Sequence, residues 1–315
     1  MIETFTATFS TMMVVMVCIA VGFVLGKAKL MPADSDSVLS KCETYIFCPA
    51  MVLNSLMVNC TAVALKEKAA LIAFCTGVMF LGILLGEPIA RRMEPAGYQR
   101  NLLRYSFGYP NFGFLGMAIV PLILGQEALF GYVMYTIPMN VGVYTYGTAL
   151  LIKDQGGKKS FFRRLLNPMF VAMALGILLG VTGLGEKLPS FLRTGISSLS
   201  SCFSPVAMVL TGIVVSRFGF QKLFTARKSY LMTALRLLVF PVVFLTLLRL
   251  LHADREVMMY TLLAFAAPIG LNTIVFPASC GEDTAPGASM AMISHVLCVL
   301  TIPLLYACMV GLGWV

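Results

Sequence analysis

Three neutral polar side chains stand beside prolines inside long apolar stretches of this sequence. Asn111 follows Pro110, and Asn272 and Thr273 come shortly after Pro268. Each proline removes a backbone amide donor and clashes with the preceding turn, so nearby carbonyl groups lose their helical partners. Amide and hydroxyl groups can hydrogen-bond a carboxylate without burying an unpaired charge. The residue types indicate a binding site for a small polar ligand. In the alternative interpretation, each Asn caps a freed carbonyl group.

The predicted binding site also includes the prolines themselves, the glycines near them and one further asparagine in another apolar stretch. Its members are Pro110, Asn111, Gly113, Asn140, Pro268, Gly270, Asn272 and Thr273. An amide such as Asn140, in an otherwise apolar helix, either faces the ligand or hydrogen-bonds a neighbouring helix. We expect both apolar stretches to be broken helices. Bare backbone groups at membrane depth must line a wet cavity or be buried in protein.

Ionisable residues inside apolar stretches are the candidates for ion coupling. They are Lys41, Glu43, Glu282, Asp283 and His295. Each has a structural alternative: the first two can reach water from a helix end, the acidic pair can sit in a solvated turn, and the histidine can be a packing residue. Glu87 and Arg236 are expected near the inner membrane boundary, placed there by lipid headgroups or by each other.

The composition is that of an integral membrane protein, with 59% hydrophobic residues, 12% charged residues and a mean hydropathy of +0.89. A spanning helix takes about 20 apolar residues, so the predicted fold is all-α and polytopic with ten transmembrane helices. The predicted segments are 5–26, 38–58, 69–90, 105–124, 129–152, 167–184, 195–216, 230–250, 257–280 and 285–312.

The net charge of +9 comes from basic residues in short loops. If the N-terminus is outside, inner loops carry 15 Lys and Arg residues and outer loops carry 6. This is the positive-inside pattern, and it predicts a cytoplasmic membrane protein with both termini outside. The orientation of the chain in the lipid bilayer thus accounts for the basic residues, and no nucleic-acid partner is expected.

No motif in the chain indicates a cofactor, a metal site or catalysis. The nine cysteines lack CxxC and zinc-type His spacing and are interpreted as small apolar residues. A nucleotide-binding loop and a His-Glu-x-x-His motif are both missing. The N-terminus has no basic region before its apolar run, so no cleaved signal peptide is expected. Transport energy would therefore come from an ion or substrate gradient, with proton and sodium both open.

The most hydrophilic connection, residues 153–166, divides the chain into a first unit, 1–152, and a second unit, 167–315. Each unit holds five predicted helices. Because five is odd, a duplicated unit would enter the membrane the second time with opposite orientation, as an inverted repeat. Pro49 and Pro205 lie in the second predicted helix of each unit, while Pro110 and Pro268 lie in the fourth. This shared order favours duplication.

Several motifs resemble those of the auxin efflux carrier family, which includes the PIN-type auxin exporters and bacterial malate or malonate permeases. They are 38–50, Asn111-Phe-Gly-Phe-Leu-Gly116, Asn140 with Gly147, Ser204-Pro205, Leu210-Thr-Gly212, Pro268-Ile-Gly270, Cys280-Gly-Glu-Asp283 and Thr301-Ile-Pro303. The resemblance implies a fold like that of bile-acid sodium symporters, in which helices 4 and 9 cross at their prolines. It also implies elevator-like transport of small organic anions by a homodimer.

These observations together predict a secondary carrier that moves a small organic anion by alternating access. The alternative within the same architecture is a sodium-coupled symporter of the bile-acid type. A membrane-embedded enzyme or sensor is a second alternative, and such an enzyme would need a paired nucleophile and base or a metal set that the sequence lacks.

Overall fold

The computed structural model describes residues 2–32, 34–151, 168–217, 227–274 and 285–315, without the side chain of Ala285. Within these ranges the chain is helical, with no strand and a single isolated bridge between two residues. The helices are α1 Ile2–Lys27, α2 35–59, α3 Ala62–Met93, α4 Tyr98–Gly108, α5 Phe112–Leu124, α6 128–151, α7 Pro168–Val181, α8 Leu184–Lys187, α9 Ser190–Ser216, α10 Arg227–Leu250, α11 Arg255–Phe265 and α12 Ala285–Gly311. The all-helical fold class is confirmed.

Among the residues that the structure describes, five helices are long and apolar enough to cross a bilayer without interruption, namely α1, α3, α9, α10 and α12. Apolar residues such as Leu84 and Leu250 remain about 70% exposed on their outer surfaces. In hydrocarbon, only a structure that satisfies its own backbone hydrogen bonds is stable, and helices do so within one segment. The chain is therefore a multi-pass membrane protein. The total of ten spans stays a prediction.

Within the described residues, four helical segments contain a π-helical turn, in which the hydrogen-bond spacing widens by one residue. The turns are Glu43–Phe47, Phe112–Gly116, Val143–Gly147 and Leu235–Val239. Pro49 and Pro241 follow two of them closely. Since proline cannot donate, the ladder has already lost a bond there, and a wider turn is a local way to absorb the mismatch.

One group of helices packs through glycines. Helix α1 lies against α9, where a Cβ on Gly22 would stand 2.0 Å from the carbonyl oxygen of Val209. Helix α7 lies against α2, where a Cβ on Gly180 would stand 2.6 Å from the carbonyl oxygen of Leu56. Without a hydrophobic driving force between helices in lipid, such close backbone approach is a main source of association. Helices α2 and α9 also contact each other, which joins the two pairs.

The remaining described spans form a second group around α11. Helix α3 packs against α4 and α6, and α10 packs against α11 and α12. Helix α11 is buried along nearly its whole length, from Val257 to Phe265. Helix α1 contacts α12 and thereby connects the two groups. This second group contains both of the segments in which the sequence predicts a break.

Ion pairs lie at the ends of the spans. Asp36 pairs with Arg217, Glu94 pairs with Lys228, and Glu87 pairs with both Arg91 and Arg104. A further ion pair, between Lys68 and Glu256, joins the N-terminal ends of α3 and α11. Charged side chains at span ends reach water and headgroups, where the energetic penalty of burying charge is avoided.

Candidate functional site

Both segments with predicted breaks are interrupted, and their interruptions meet. Helix α4 ends at Gly108 and α5 begins at Phe112. Helix α11 ends at Phe265, and a helical turn resumes at 272–274. Between these ends, Pro110 and Ile269 form an antiparallel bridge. The two loops are buried, so their backbone groups need partners inside the protein.

The partners come from the opposite break and from α12. The backbone amide of Asn111 donates to the carbonyl oxygen of Pro268 at 2.7 Å. The backbone amide of Ile269 donates to the hydroxyl of Ser294 at 3.0 Å, and that hydroxyl donates to the carbonyl of Ala291. A buried amide without a partner would destabilise the fold by about 1–3 kcal/mol. These hydrogen bonds therefore fix the two loops against each other.

Asn111 links the break to His295 on α12. Its side-chain amide donates to Nε2 of His295 at 3.0 Å, and its side-chain oxygen accepts from the backbone amide of Leu115 at 3.4 Å. Nδ1 of His295 lies 2.7 Å from the carbonyl oxygen of Ala291. A carbonyl can only accept, so Nδ1 carries the proton and Nε2 is the acceptor. The imidazole is thus neutral and orients the Asn111 amide.

The second break is tied to the first half of the chain through Asn272. The half-buried Asn272 donates from its amide to the hydroxyl of Tyr105 on α4 at 3.0 Å. Thr273 is buried, and both its amide and its hydroxyl donate to the carbonyl of Gly270. Thr273 therefore closes a local turn, while Asn272 reaches across to the other broken segment. Neither Asn111 nor Asn272 caps a freed carbonyl group in the part of the chain described here.

Open space lies beside the start of α5. A Cβ on Gly113 would meet no atom within 4 Å. One and two turns further along the same face, Met117 and Pro121 line a cavity of about 700 Å³. The opposite walls of this cavity belong to α1, α2 and α9, with polar side chains from Asn54, Ser55, Asn59, Ser197, Ser200, Ser201 and Ser204. On α5 the cavity is lined from Met117 to Leu122, and none of the eight predicted site residues lines it.

Arg236 is wholly buried, which rules out its expected contact with lipid headgroups, while its depth near the inner boundary stays a prediction. The side chain has no exposed surface, and its guanidinium donates to the carbonyl of Phe265, the last residue of α11. Nε and the second terminal nitrogen are buried without a hydrogen-bond partner. Glu87, the partner suggested by the sequence, pairs with Arg91 and Arg104 instead. A cation at the carboxyl end of a helix is favourable because that end carries partial negative charge.

The other predicted residues lie in different surroundings. Asn140 is buried and donates to the carbonyl of Thr136 in its own helix at 3.0 Å, so its ligand contact stays a prediction. Lys41 is exposed. Glu43 is fully buried, which rules out its expected reach toward water. Glu282 and Asp283 lie outside the described residues.

Sequence reasoning missed three groups that hold the breaks in place, namely Ser294, Tyr105 and the role of Arg236. Ser294 and Tyr105 carry no local signal of a role at the breaks, and their contacts depend on how distant helices meet. Arg236 did carry a signal, since a charge within a span is a functional candidate. Its expected contact with headgroups or Glu87 was wrong because distance from the span end does not determine which side of a helix faces protein.

The chain matches known membrane proteins along most of its length. A family model described as "Membrane transport protein" matches residues 7–160 and 155–306. The chain is also similar to proteins named "Uncharacterized transporter YfdV" from Escherichia coli strain K12, Escherichia coli O157:H7 and Shigella flexneri. Each is 26% identical over 206 residues, which cover 62% of this chain and 64% of the relative's length.

Proposed function

Because the chain belongs to the membrane transport protein family, we propose that it is a secondary carrier that moves a small organic anion across the cytoplasmic membrane. The family and the name of the relatives indicate a transporter rather than an enzyme. The proposed mechanism is alternating access, in which one helix group shifts against the other in an elevator-like movement. The substrate class in this proposal is a small carboxylate.

The observation that carries the proposal is the meeting of two interrupted helices beside a cavity. Interrupted helices leave backbone groups that do not serve a helical ladder, and these groups are the usual binding elements of transporters at mid-membrane depth. Here the break at Pro110 contacts the break at Ile269. The open space at Gly113 gives a ligand room beside the break, and the cavity begins one turn further along α5, at Met117.

A preference for anions is supported by two sources of positive potential at the breaks. The start of α5 presents the amide groups of a helix N-terminus, which carry a partial charge of about +0.5. Arg236 adds a full charge at the end of α11, and no described carboxylate pairs with it. A carboxylate bound between them would be attracted by both. Asn111 and Asn272 would then hydrogen-bond the substrate without adding charge.

An inverted repeat is part of the proposal, with units 1–152 and 167–315. In it, the fourth and ninth predicted segments, 105–124 and 257–280, cross. If the units are related by a two-fold axis, the contact of α1 with α9 should be matched by a contact of α7 with α2, and both contacts are present. Each uses a glycine pair spaced by four residues, Gly22 with Gly26 and Gly176 with Gly180. The two stretches matched by the family model also meet near the predicted linker.

Counterflow tests the proposal directly. Purified protein is reconstituted into proteoliposomes loaded with one unlabelled compound, and uptake of the labelled compound is followed. The panel contains mono- and dicarboxylates and indole acids, each measured with and without a sodium or a proton gradient. We expect saturable counterflow of at least one carboxylate and none of its neutral amide analogue. The amide is a matched control because it keeps the shape and removes the charge.

Two outcomes would contradict this assignment. Equal uptake of a carboxylate and its amide would remove the anion preference, and lack of counterflow for the whole panel would remove the carrier proposal. Stimulation by sodium alone would favour the sodium-coupled symporter instead. Homodimer formation is proposed from the family resemblance, and mass photometry of the detergent-solubilised protein would measure it.

A further inference from the structure

Glu43 is a buried acid for which the described part of the chain offers no partner. Its side chain has no exposed surface, and neither carboxyl oxygen has a hydrogen-bond partner among the described residues. It occupies the first position of the π-helical turn Glu43–Phe47 in α2. Turns of this kind are rare and occur frequently at functional sites. The proposed function does not use this residue.

The surroundings of Glu43 provide no described cation to offset a negative charge. Its π-helical turn packs against α7, which carries no titratable side chain, and against α9, whose titratable groups are Arg193 and Cys202. Arg217, just beyond α9, pairs with Asp36. On α2 itself the titratable neighbours are Lys41, Cys42, Tyr45 and Cys48. None of these groups donates a hydrogen bond to the Glu43 carboxyl.

An ionised carboxylate in this position would be both desolvated and unpaired. Such a state is far less stable than the neutral acid, and a group in that situation takes up a proton instead. The conformation described here therefore has a proton on Glu43. A conformation in which water reaches the same carboxyl would allow it to ionise.

The position of Glu43 on α2 connects it to the cavity. A π-helical turn spaces neighbours five residues apart, which puts Glu43 next to Cys48 along the helix. Cys48 in turn lies one helical turn from Met51 and two turns from Ser55. Met51 and Ser55 line the cavity, and Pro121 of α5 lines its other side. Glu43 thus lies on the side of α2 that lines the cavity, about two turns before Met51 toward the start of the helix.

We propose that Glu43 is a proton-binding site of the transport cycle, protonated in the conformation described here and ionised when water enters along the cavity-facing side of α2. This inference rests on the proposed carrier function. The proton passes between a Glu43 carboxyl oxygen and water, so the conformation with Glu43 buried binds one proton more than the hydrated one. Because the two conformations differ in bound protons, a proton gradient shifts the balance between them.

The test compares exchange with gradient-driven uptake in the same proteoliposomes. The variant is Glu43→Gln, which keeps the shape of the side chain and cannot release a proton. Wild-type protein should accumulate its panel carboxylate about tenfold for each unit of pH gradient if one proton moves per substrate. Glu43→Gln should lose this response while its counterflow stays within about twofold of wild type. The matched control is Glu186→Gln, on an exposed acid in α8, and it should behave as wild type.

The outcomes separate this inference from the carrier proposal. A Glu43→Gln protein that still follows the pH gradient, or a wild type that exchanges carboxylate but ignores the gradient, would overturn the inference and leave the carrier proposal standing. Loss of counterflow in wild type would overturn the carrier proposal itself. Infrared spectroscopy adds a readout that does not depend on transport. The wild type should show the carbonyl stretch of a buried protonated carboxyl, absent from Glu43→Gln, and its presence in both proteins would also contradict the inference.

Discussion

Asn111 makes contacts that no single structural role requires. Its backbone amide bonds the opposite break, its side-chain amide bonds His295, and its side-chain oxygen bonds Leu115. The side-chain oxygen of Asn111 thus caps the start of α5, while its side-chain amide is held by His295.

Replacing either break asparagine with alanine should reduce transport without unfolding the protein. A hydrogen bond to a charged group contributes about 1.5–3 kcal/mol, so we expect carboxylate counterflow to fall by about tenfold or more in Asn111→Ala and in Asn272→Ala. Asn101→Ala, on α4 and away from the break, is the control. Size-exclusion profiles would verify folding. Wild-type exchange rates in both variants would remove these residues from the site.

A substitution at Arg236 is expected to slow transport without lowering the melting temperature. The guanidinium is buried and lacks a carboxylate partner among the described residues, so removing its charge relieves a desolvation penalty and loses one hydrogen bond to Phe265. We expect Arg236→Met to melt at or above the wild-type temperature and to transport carboxylate at least about tenfold more slowly.

The conservative variant Arg236→Lys separates charge from geometry. It keeps the positive charge but not the planar set of donors, so it should retain more transport than Arg236→Met. If Arg236→Met transported at the wild-type rate, the arginine would have no part in anion attraction. A large fall in melting temperature for that variant would instead indicate a structural role.

At the scale of helices, contact between backbones explains the packing of α1 on α9 and of α7 on α2. Gly22 and Gly180 each stand where any Cβ would collide with a backbone carbonyl of the facing helix. Backbone atoms cannot move aside as a flexible side chain can. The two contacts therefore depend on glycine more strictly than ordinary packing depends on residue size.

Leucine at either glycine should separate the helices that it joins. Overpacking a core usually destabilises a protein by about 1–3 kcal/mol, and we expect at least the upper end for Gly22→Leu and Gly180→Leu, because the collision is with backbone. The measurement is melting temperature and monodispersity in detergent. Gly77→Leu is the control, since Gly77 is an exposed helical glycine whose Cβ would meet no atom within 4 Å. Equal melting temperatures for all three variants would contradict the packing argument.

At the scale of the whole molecule, the ion pairs fit the predicted alternation of the loops between two faces, while the choice of the outer face stays a prediction. Four of the described pairs involve loops assigned to the inner face, through Arg91, Arg104, Arg217 and Lys228, and each joins residues assigned to that same face. The pair of Lys68 with Glu256 joins two ends assigned to the outer face. Residues on opposite faces of a bilayer cannot form such pairs, since the hydrocarbon core is about 30 Å thick.

Reporter fusions test the predicted orientation of the whole chain. With both termini outside, alkaline phosphatase fused after Val315 should be active in a bacterial host, and green fluorescent protein at the same place should be dark. Fusions truncated within 153–166 should give the opposite result, because that linker is predicted inside. Fluorescence from the fusion after Val315 would show that the C-terminus is inside, which would contradict the predicted orientation.

Composition and the order of motifs were enough to predict the class of protein and its family, and both predictions are confirmed. The positions of the two breaks also followed from local chemistry, since a proline within a span removes a donor wherever the span lies. These properties depend on residues close together in the chain, and physical rules for a bilayer interior leave few other solutions.

Only the tertiary structure decided which polar groups meet. Asn111 with His295, Asn272 with Tyr105, and Arg236 with Phe265 are pairs of residues far apart in sequence. Likewise, Glu43 and Lys41 are two positions apart on one helix, yet one is buried and the other exposed. Which side of an apolar helix faces protein and which faces lipid is set by the neighbouring helices, and in a span that is apolar all round the sequence carries little record of that choice.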